Sequence, residues 1–147
     1  MPKQHAFDVI AGIDIGGTKC AVSFAEYRAE YSDATRILDR IAFPLPDSDP
    51  NSILNHFATL IKEKLIQHEN WNFSAVGVAC GGPLDSARGI IISPSNLPKW
   101  RNVEYVRILR DLLNVPTLKS DFSRRMINFI LPFSPFFVLC SLYKEYS

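Results

Sequence analysis

Cysteine is scarce in this sequence, and no two cysteines stand near each other. The three, Cys20, Cys80 and Cys140, are widely spaced, which excludes a C-x-x-C metal pair. An odd number cannot close into a complete disulfide framework, so the chain reads as one with reduced thiols in the cytoplasm. Histidine is equally sparse. His5, His56 and His68 form no constellation with serine and aspartate that would suit nucleophilic catalysis, and His56 and His68 read as solvent-facing. Charge of one sign is missing too: 16 Lys plus Arg oppose 15 Asp plus Glu, a net charge of +1. That balance gives no electrostatic case for nucleic acid or an acidic membrane surface as partner, and Arg124-Arg125 is the one local hint of a basic patch. The opening MPKQHAFDVIAGIDIGG has neither the long apolar core nor the small-residue cleavage site of a signal peptide. Internal repeats and low-complexity tracts are absent.

What is present is a globular composition, 47% hydrophobic and 21% charged over 147 residues, the size of one domain. Asp8 to Ile15 is rich in β-branched residues and ends at Gly16-Gly17, as a strand running into a tight turn does. Cys20 to Ala25 alternates and reads as the returning strand of a hairpin. Thr35 to Phe43 is a third strand, giving an antiparallel meander with a glycine corner, after which Pro44, Pro46 and Pro50 interrupt regular structure. Asp49 is placed to cap a helix whose first position is Pro50. Its apolar stripe is Ile53, Leu54, Phe57, Leu60, Ile61 and Leu65, spaced for one helix face. Ser74 to Cys80 is a short apolar run, expected as a buried parallel strand. Gly89 to Ile92 reads as a small strand, Pro94 to Trp100 as a loop, Val103 to Leu113 as a second helix and Val115 to Leu118 as one more buried strand. A hairpin-led sheet followed by crossovers is an α/β plan.

The last segment differs in character. Met126 to Tyr143 carries no charge and holds Phe129, Phe133, Phe136 and Phe137. Its length is near the roughly 18 apolar residues a membrane-spanning helix needs, but Pro132 and Pro135 break it. The expectation is a tail foreign to the fold, residues 122–147, from a frameshifted or prematurely ended reading frame, rather than a membrane anchor or a buried C-terminal segment.

Three stretches can carry chemistry. In Asp14-Ile15-Gly16-Gly17-Thr18-Lys19, two glycines leave backbone N–H groups uncovered by side chains, and successive N–H groups of this kind make a concavity that suits phosphate. Thr18 adds a hydroxyl and Lys19 a positive charge, while Asp14 is placed to hold a magnesium ion through water. The competing reading is a plain hairpin turn with charged flanks. The pattern is neither a Walker A loop nor a dinucleotide fingerprint. In the second stretch, Gly81-Gly82-Pro83 puts a rigid loop at the carboxyl end of a strand, where ligands sit in open α/β sheets. Ser95 and Asn96 further on offer the paired donors and acceptors that sugar hydroxyls need; a polar loop held by prolines is the alternative. Third, Asp121 follows Val115 to Leu118 and could act as general base on a hydroxyl, or be a surface carboxylate. Cys80 reads as a small buried hydrophobe.

AGIDIGGTKCAVSF and GVACGGPLDSARGIIISPSNLPKW together resemble the ROK family of bacterial sugar kinases, glucokinases among them, and sugar-responsive repressors. Gly81 stands where the family usually has proline. The resemblance runs from residue 8 to about 121. It implies an actin-like ATPase (ribonuclease H-like) lobe, residues 8–121, the N-terminal half of a two-lobed, ATP-dependent hexose kinase, so that this chain is expected to be incomplete and weakly active or inactive. Gly16, Gly17, Thr18 and Lys19 would face the phosphates of ATP, Asp14 would lie near Mg2+, and Gly82, Ser95 and Asn96 would line a pocket for a hexose or amino sugar. Asp121 matches the catalytic base by position, with Ser120 where the family has asparagine. The family's zinc cluster is not in this chain. The alternative is a non-catalytic, sugar-sensing protein of the repressor type, here without a DNA-binding domain, since few residues precede Asp8. A homo-oligomer is open as an assembly, and the sequence does not fix the oligomeric state.

Overall fold

The computed structural model describes residues 7–27, 36–45, 49–80, 83–85, 87–113 and 140–143. Its centre is β1 (Phe7–Ile15), which alternates Val9, Ala11, Ile13 and Ile15 on one buried face. The chain turns at once into β2 (Lys19–Tyr27), antiparallel to β1 in unbroken register from Asp8↔Tyr27 to Ile15↔Cys20. β3 (Arg36–Pro44) lies antiparallel on the other side of β2. β4 (Trp71–Cys80) then pairs in parallel with β1. Parallel pairing needs a crossover, and α1 (Pro50–Gln67) supplies it.

α1 begins where the sequence requires. The Asp49 carboxylate accepts from the backbone N–H of Asn51 at 2.8 Å and of Ser52 at 3.2 Å, meeting two of the donors a helix start leaves unpaired. The helix lays Ile53, Leu54, Phe57 and Ile61 against Ile13, Ile15, Val22, Phe24, Val76 and Val78. Each such side chain, fully buried, contributes roughly 1.5–3 kcal/mol. On the opposite face of the sheet Ile10, Ala25 and Ala75 form a second, smaller cluster. At the far end of α1 the His68 N–H donates to the Lys64 carbonyl at 3.1 Å. The His68 ring is half-buried and stacks on Trp71, centroids 4.1 Å apart and planes 8° from parallel. The solvent-facing reading of His68 is therefore corrected. His56 is exposed, yet its ring meets Phe43 edge-on at 4.6 Å.

Beyond β4, β5 (Leu84–Asp85) and β6 (Ile90–Ile91) form a two-stranded ribbon, and α2 (Tyr105–Leu113) follows. β6 is the small strand expected at Gly89 to Ile92, shortened; β5 was not expected. α2 starts two residues later than the sequence suggests because Val103 is held as a bridge to Ile91, through hydrogen bonds of 2.9 Å in each direction. β4 starts earlier than Ser74 because Trp71 and Asn72 pair with Phe7 and Asp8. Val115 to Leu118 lies outside the described residues.

The fifth strand of the main sheet is β7 (Cys140–Tyr143), antiparallel to β4 from Ala75↔Tyr143 to Val78↔Cys140, giving the order β3-β2-β1-β4-β7. It lies within the tail that the sequence sets apart from the fold, and the rest of that tail is outside the described residues. Among the described residues no helix is long and apolar enough to cross a membrane.

Candidate functional site

The corner between β1 and β2 is built by residues 16–18. The Gly16 N–H donates to the Lys19 carbonyl at 2.9 Å, and the Leu45 N–H donates to the Thr18 carbonyl at 2.9 Å, tying the corner to the end of β3. Glycine is needed here for space. Gly89 is the glycine with positive φ among the described residues, and neither Gly16 nor Gly17 has one. A β-carbon on Gly16 would stand 2.6 Å from the Lys19 carbonyl oxygen, and one on Gly17 3.1 Å from both Cβ and the carbonyl oxygen of Asn96.

Strand alternation sorts the charges at this end of the sheet. Ile15, Cys20 and Cys80 share the face that α1 covers, so Asp14 and Lys19 project from the other. Asp14 is aligned with Ala21 on one side and Ala79 on the other, both too small to enclose it. Arg40, aligned with Ser23, shares this face. Partial burial raises the pKa of Asp14 above the usual carboxylate value, and the Arg40 guanidinium acts in the opposite sense. Thr18 and Lys19 are exposed. On the covered face, burial pushes the Cys20 thiol up to about 11, with the Gly16 backbone opposing and Asp14 adding to the shift; burial pushes Cys80 up to about 12, with Asp14 and Cys20 adding. Both thiols are packing groups rather than nucleophiles.

The second loop is anchored from below. The Leu97 N–H donates to the Pro94 carbonyl at 3.1 Å, and the Trp100 N–H to the Leu97 carbonyl at 2.9 Å. Leu97 and Trp100, 1% and 2% exposed, join the core that includes Ile91, Tyr105 and Leu109. With those two side chains inside, Ser95 and Asn96 are left outside. Gly89 holds the preceding turn at φ 67°, where a β-carbon would collide with the Val106 side chain.

The structure thus brings together Asp14, Gly16, Gly17, Thr18 and Lys19 at one corner and lays Asn96 of the second loop directly against Gly17. Gly82 and Asp121 lie outside the described residues. Arg40 escaped the sequence reading; the one trace of it is its place in the alternation of β3, two residues from Ala42, which aligns with Ala21 and through it with Asp14. Among the described residues no group of three or more histidine, cysteine or acidic side chains is arranged to hold a metal ion.

A five-stranded mixed sheet led by a glycine-cornered hairpin, crossed by a helix and followed by a two-stranded ribbon and a loop after the parallel strand, is part of an actin-like ATPase fold. The chain belongs to the ROK family, whose pattern matches residues 10–121. A solved structure of similar fold is that of a Listeria monocytogenes protein described as a candidate N-acetylmannosamine kinase. The two share a TM-score of 0.52 and 19% identity, over 74% of this chain and 33% of that one. This chain spans about a third of that protein's length. No curated protein sequence matches it.

Proposed function

We propose that this chain supplies the phosphate-holding side of an ATP-dependent hexose kinase site of the ROK type, in the cytoplasm. The observation that carries the reading is the β1–β2 corner. The space beside Gly16 and Gly17 is so close that a β-carbon would intrude on it, while Asp14 and Lys19 share one face beside it. The Gly16 N–H closes the corner on the Lys19 carbonyl, so in this reading a polyphosphate meets the backbone N–H groups that follow it, at Gly17 and Thr18, next to one cation. Thr18 adds a hydroxyl donor. Asp14 is a single carboxylate, which matches the way magnesium is held, through one or two carboxylates, waters and substrate phosphates. Magnesium, when bound, neutralises charge on the phosphates.

In this reading Ser95 and Asn96, with Gly82, hold the sugar hydroxyls, and Asp121 takes the proton of the attacking hydroxyl. The sugar oxygen then bonds to the terminal phosphorus as the bond to the ADP oxygen breaks. Leu97 and Trp100 serve by fixing the loop, so that Ser95 and Asn96 lose little freedom on binding. Lys19 offers a fixed charge where negative charge collects.

The test is calorimetric titration of the full chain with ATP and magnesium, then with glucose, mannose and N-acetylmannosamine, beside a coupled assay for ADP release. Nucleotide binding that weakens at least tenfold in Lys19→Ala is the expected result, with any turnover lost in Asp121→Asn. Absence of nucleotide binding overturns the reading, and sugar binding without nucleotide binding would identify a sensor instead.

A further inference from the structure

We propose that Arg40 is a further phosphate-binding residue, a second cation that joins Lys19 and the corner in holding the polyphosphate. The inference rests on the reading of the corner as a phosphate site and adds to it a residue that belongs to no motif. Asp14, Lys19 and Arg40 share the face of the sheet away from α1, and all three are exposed. Arg40 is aligned with Ser23, and Ser23 with Gly12, which stands two positions from Asp14 along β1. At ordinary strand spacings the Cα atoms of Arg40 and Asp14 are about 10 Å apart across the sheet and about 7 Å apart along it. An extended arginine side chain spans much of that gap. The residues that share the face between them are Gly12, Ala21, Ser23 and Ala42, none large enough to wall one charge off from the other. The charge of Arg40 is accordingly felt at Asp14.

Nothing in the described fold uses the Arg40 guanidinium. The Arg40 backbone N–H donates to Asp39 Oδ1 at 2.7 Å, but Asp39 projects to the α1 side and pairs with Lys64. Among the described residues the guanidinium makes no hydrogen bond or ion pair. Charge counting gives it a role. Asp14 and Lys19 cancel, so without Arg40 the side chains of the corner offer an anion no net attraction. With Arg40 the three carry one net positive charge, and Asp14 can stay beside the phosphates without driving them off. Arginine suits the task, because its planar fork donates two parallel hydrogen bonds to phosphate oxygens and its charge does not titrate. Arg40 is a binding group and moves no proton.

The experiment is calorimetric titration of the full chain with magnesium-ATP over a series of salt concentrations, beside thermal melting, for the wild type, Arg40→Ala and Arg40→Lys. Arg40→Ala is expected to weaken ATP about tenfold, the loss of one charge-assisted pair, and to make the decline of affinity with added salt shallower. Arg40→Lys is expected to keep the salt dependence and recover part of the affinity, since it retains the charge and loses the fork. The melting temperature is expected to hold, because an exposed arginine without a partner contributes little to stability. Should Arg40→Ala melt early, Arg40→Gln keeps most of the stem without the charge and takes its place. If ATP binds the wild type, and the neutral variant that folds binds it as tightly with the same salt dependence, the inference is overturned while the functional reading stands. If ATP does not bind the wild type, the functional reading fails and the role of Arg40 falls with it.

Discussion

The carbonyl oxygen of Lys19 accepts the Gly16 N–H at 2.9 Å and stands 2.6 Å from the place a Gly16 β-carbon would take. One oxygen thus closes the corner and forbids a side chain on it. Gly16→Ala forces the hairpin to shift its closing bond, at a cost on the order of 1–3 kcal/mol for overpacking against backbone. Chemical denaturation should give a lowered midpoint with an unchanged slope. On the proposed reading nucleotide affinity should fall as well, because the corner that would meet the phosphates is displaced.

Asp14 is predicted to weaken the fold that holds it. Its pKa is raised, chiefly by burial, so the folded state binds the proton more tightly than the unfolded chain does. Below the ordinary value of 3.8 both states are protonated and there is no penalty. As the pH rises through the raised value the carboxylate ionises and this small penalty appears, limited by the exposure of Asp14 to solvent. Asp14→Asn should therefore melt at a higher temperature than the wild type at neutral pH, with the gap closing in acid. The same variant should lose magnesium-dependent nucleotide binding, the trade expected of a residue kept for function.

Asp39 behaves in the opposite sense. Its hydrogen bond to Lys64 is the main cause of a lowered pKa, and the pair ties the middle of β3 to the last turns of α1. The stabilisation is fully present above the ordinary value of 3.8 and disappears as the pH falls through the lowered one. Asp39→Asn should cost under about 1 kcal/mol at neutral pH, because the pair is partly open to solvent. Melting curves of the two proteins should converge in strong acid.

How far the sequence spoke depended on whether a signal was local. β1, β2 and the corner were readable because alternating β-branched residues meet a Gly-Gly pair, and α1 because an Asp-Pro start precedes a regular apolar stripe. The parallel placement of β4 followed from its unbroken apolar run. The purpose of the glycines was readable only in part. Their freedom from side chains showed in the sequence, but the neighbour that demands it at Gly17, Asn96, lies far along the chain. β5 escaped because two residues carry no period, and the late start of α2 because the Val103–Ile91 bridge is a tertiary contact. The stacking of His68 on Trp71 was hidden for the same reason. In the candidate site, Asp14 through Lys19 announced themselves as one motif, whereas Arg40 reaches that face only through the register of β3 on β2.

Cys20 and Cys80 both stand beside Ile15 in the sheet, on the covered face. With thiols raised to about 11 and about 12, almost no thiolate exists at neutral pH. Alkylation of the native chain by iodoacetamide, read by peptide mass spectrometry, should leave both unmodified, and denaturant should expose both together. Selective labelling of either in the native protein would contradict the packing described for that face.

The parallel alignment of β1 with β4 also sets an order of events in folding. The β1–β2 hairpin closes between neighbours in sequence, and such hairpins form in about 1–10 μs. Asp8 and Asn72, which face each other across β1 and β4, are 64 residues apart, and pairing over that span must wait for the intervening chain to collapse. The glycine corner can therefore be complete while the ribbon, the loop and Asn96 are still without a floor to rest on. The nascent chain completes the glycine corner well before the loop that comes to lie beside it.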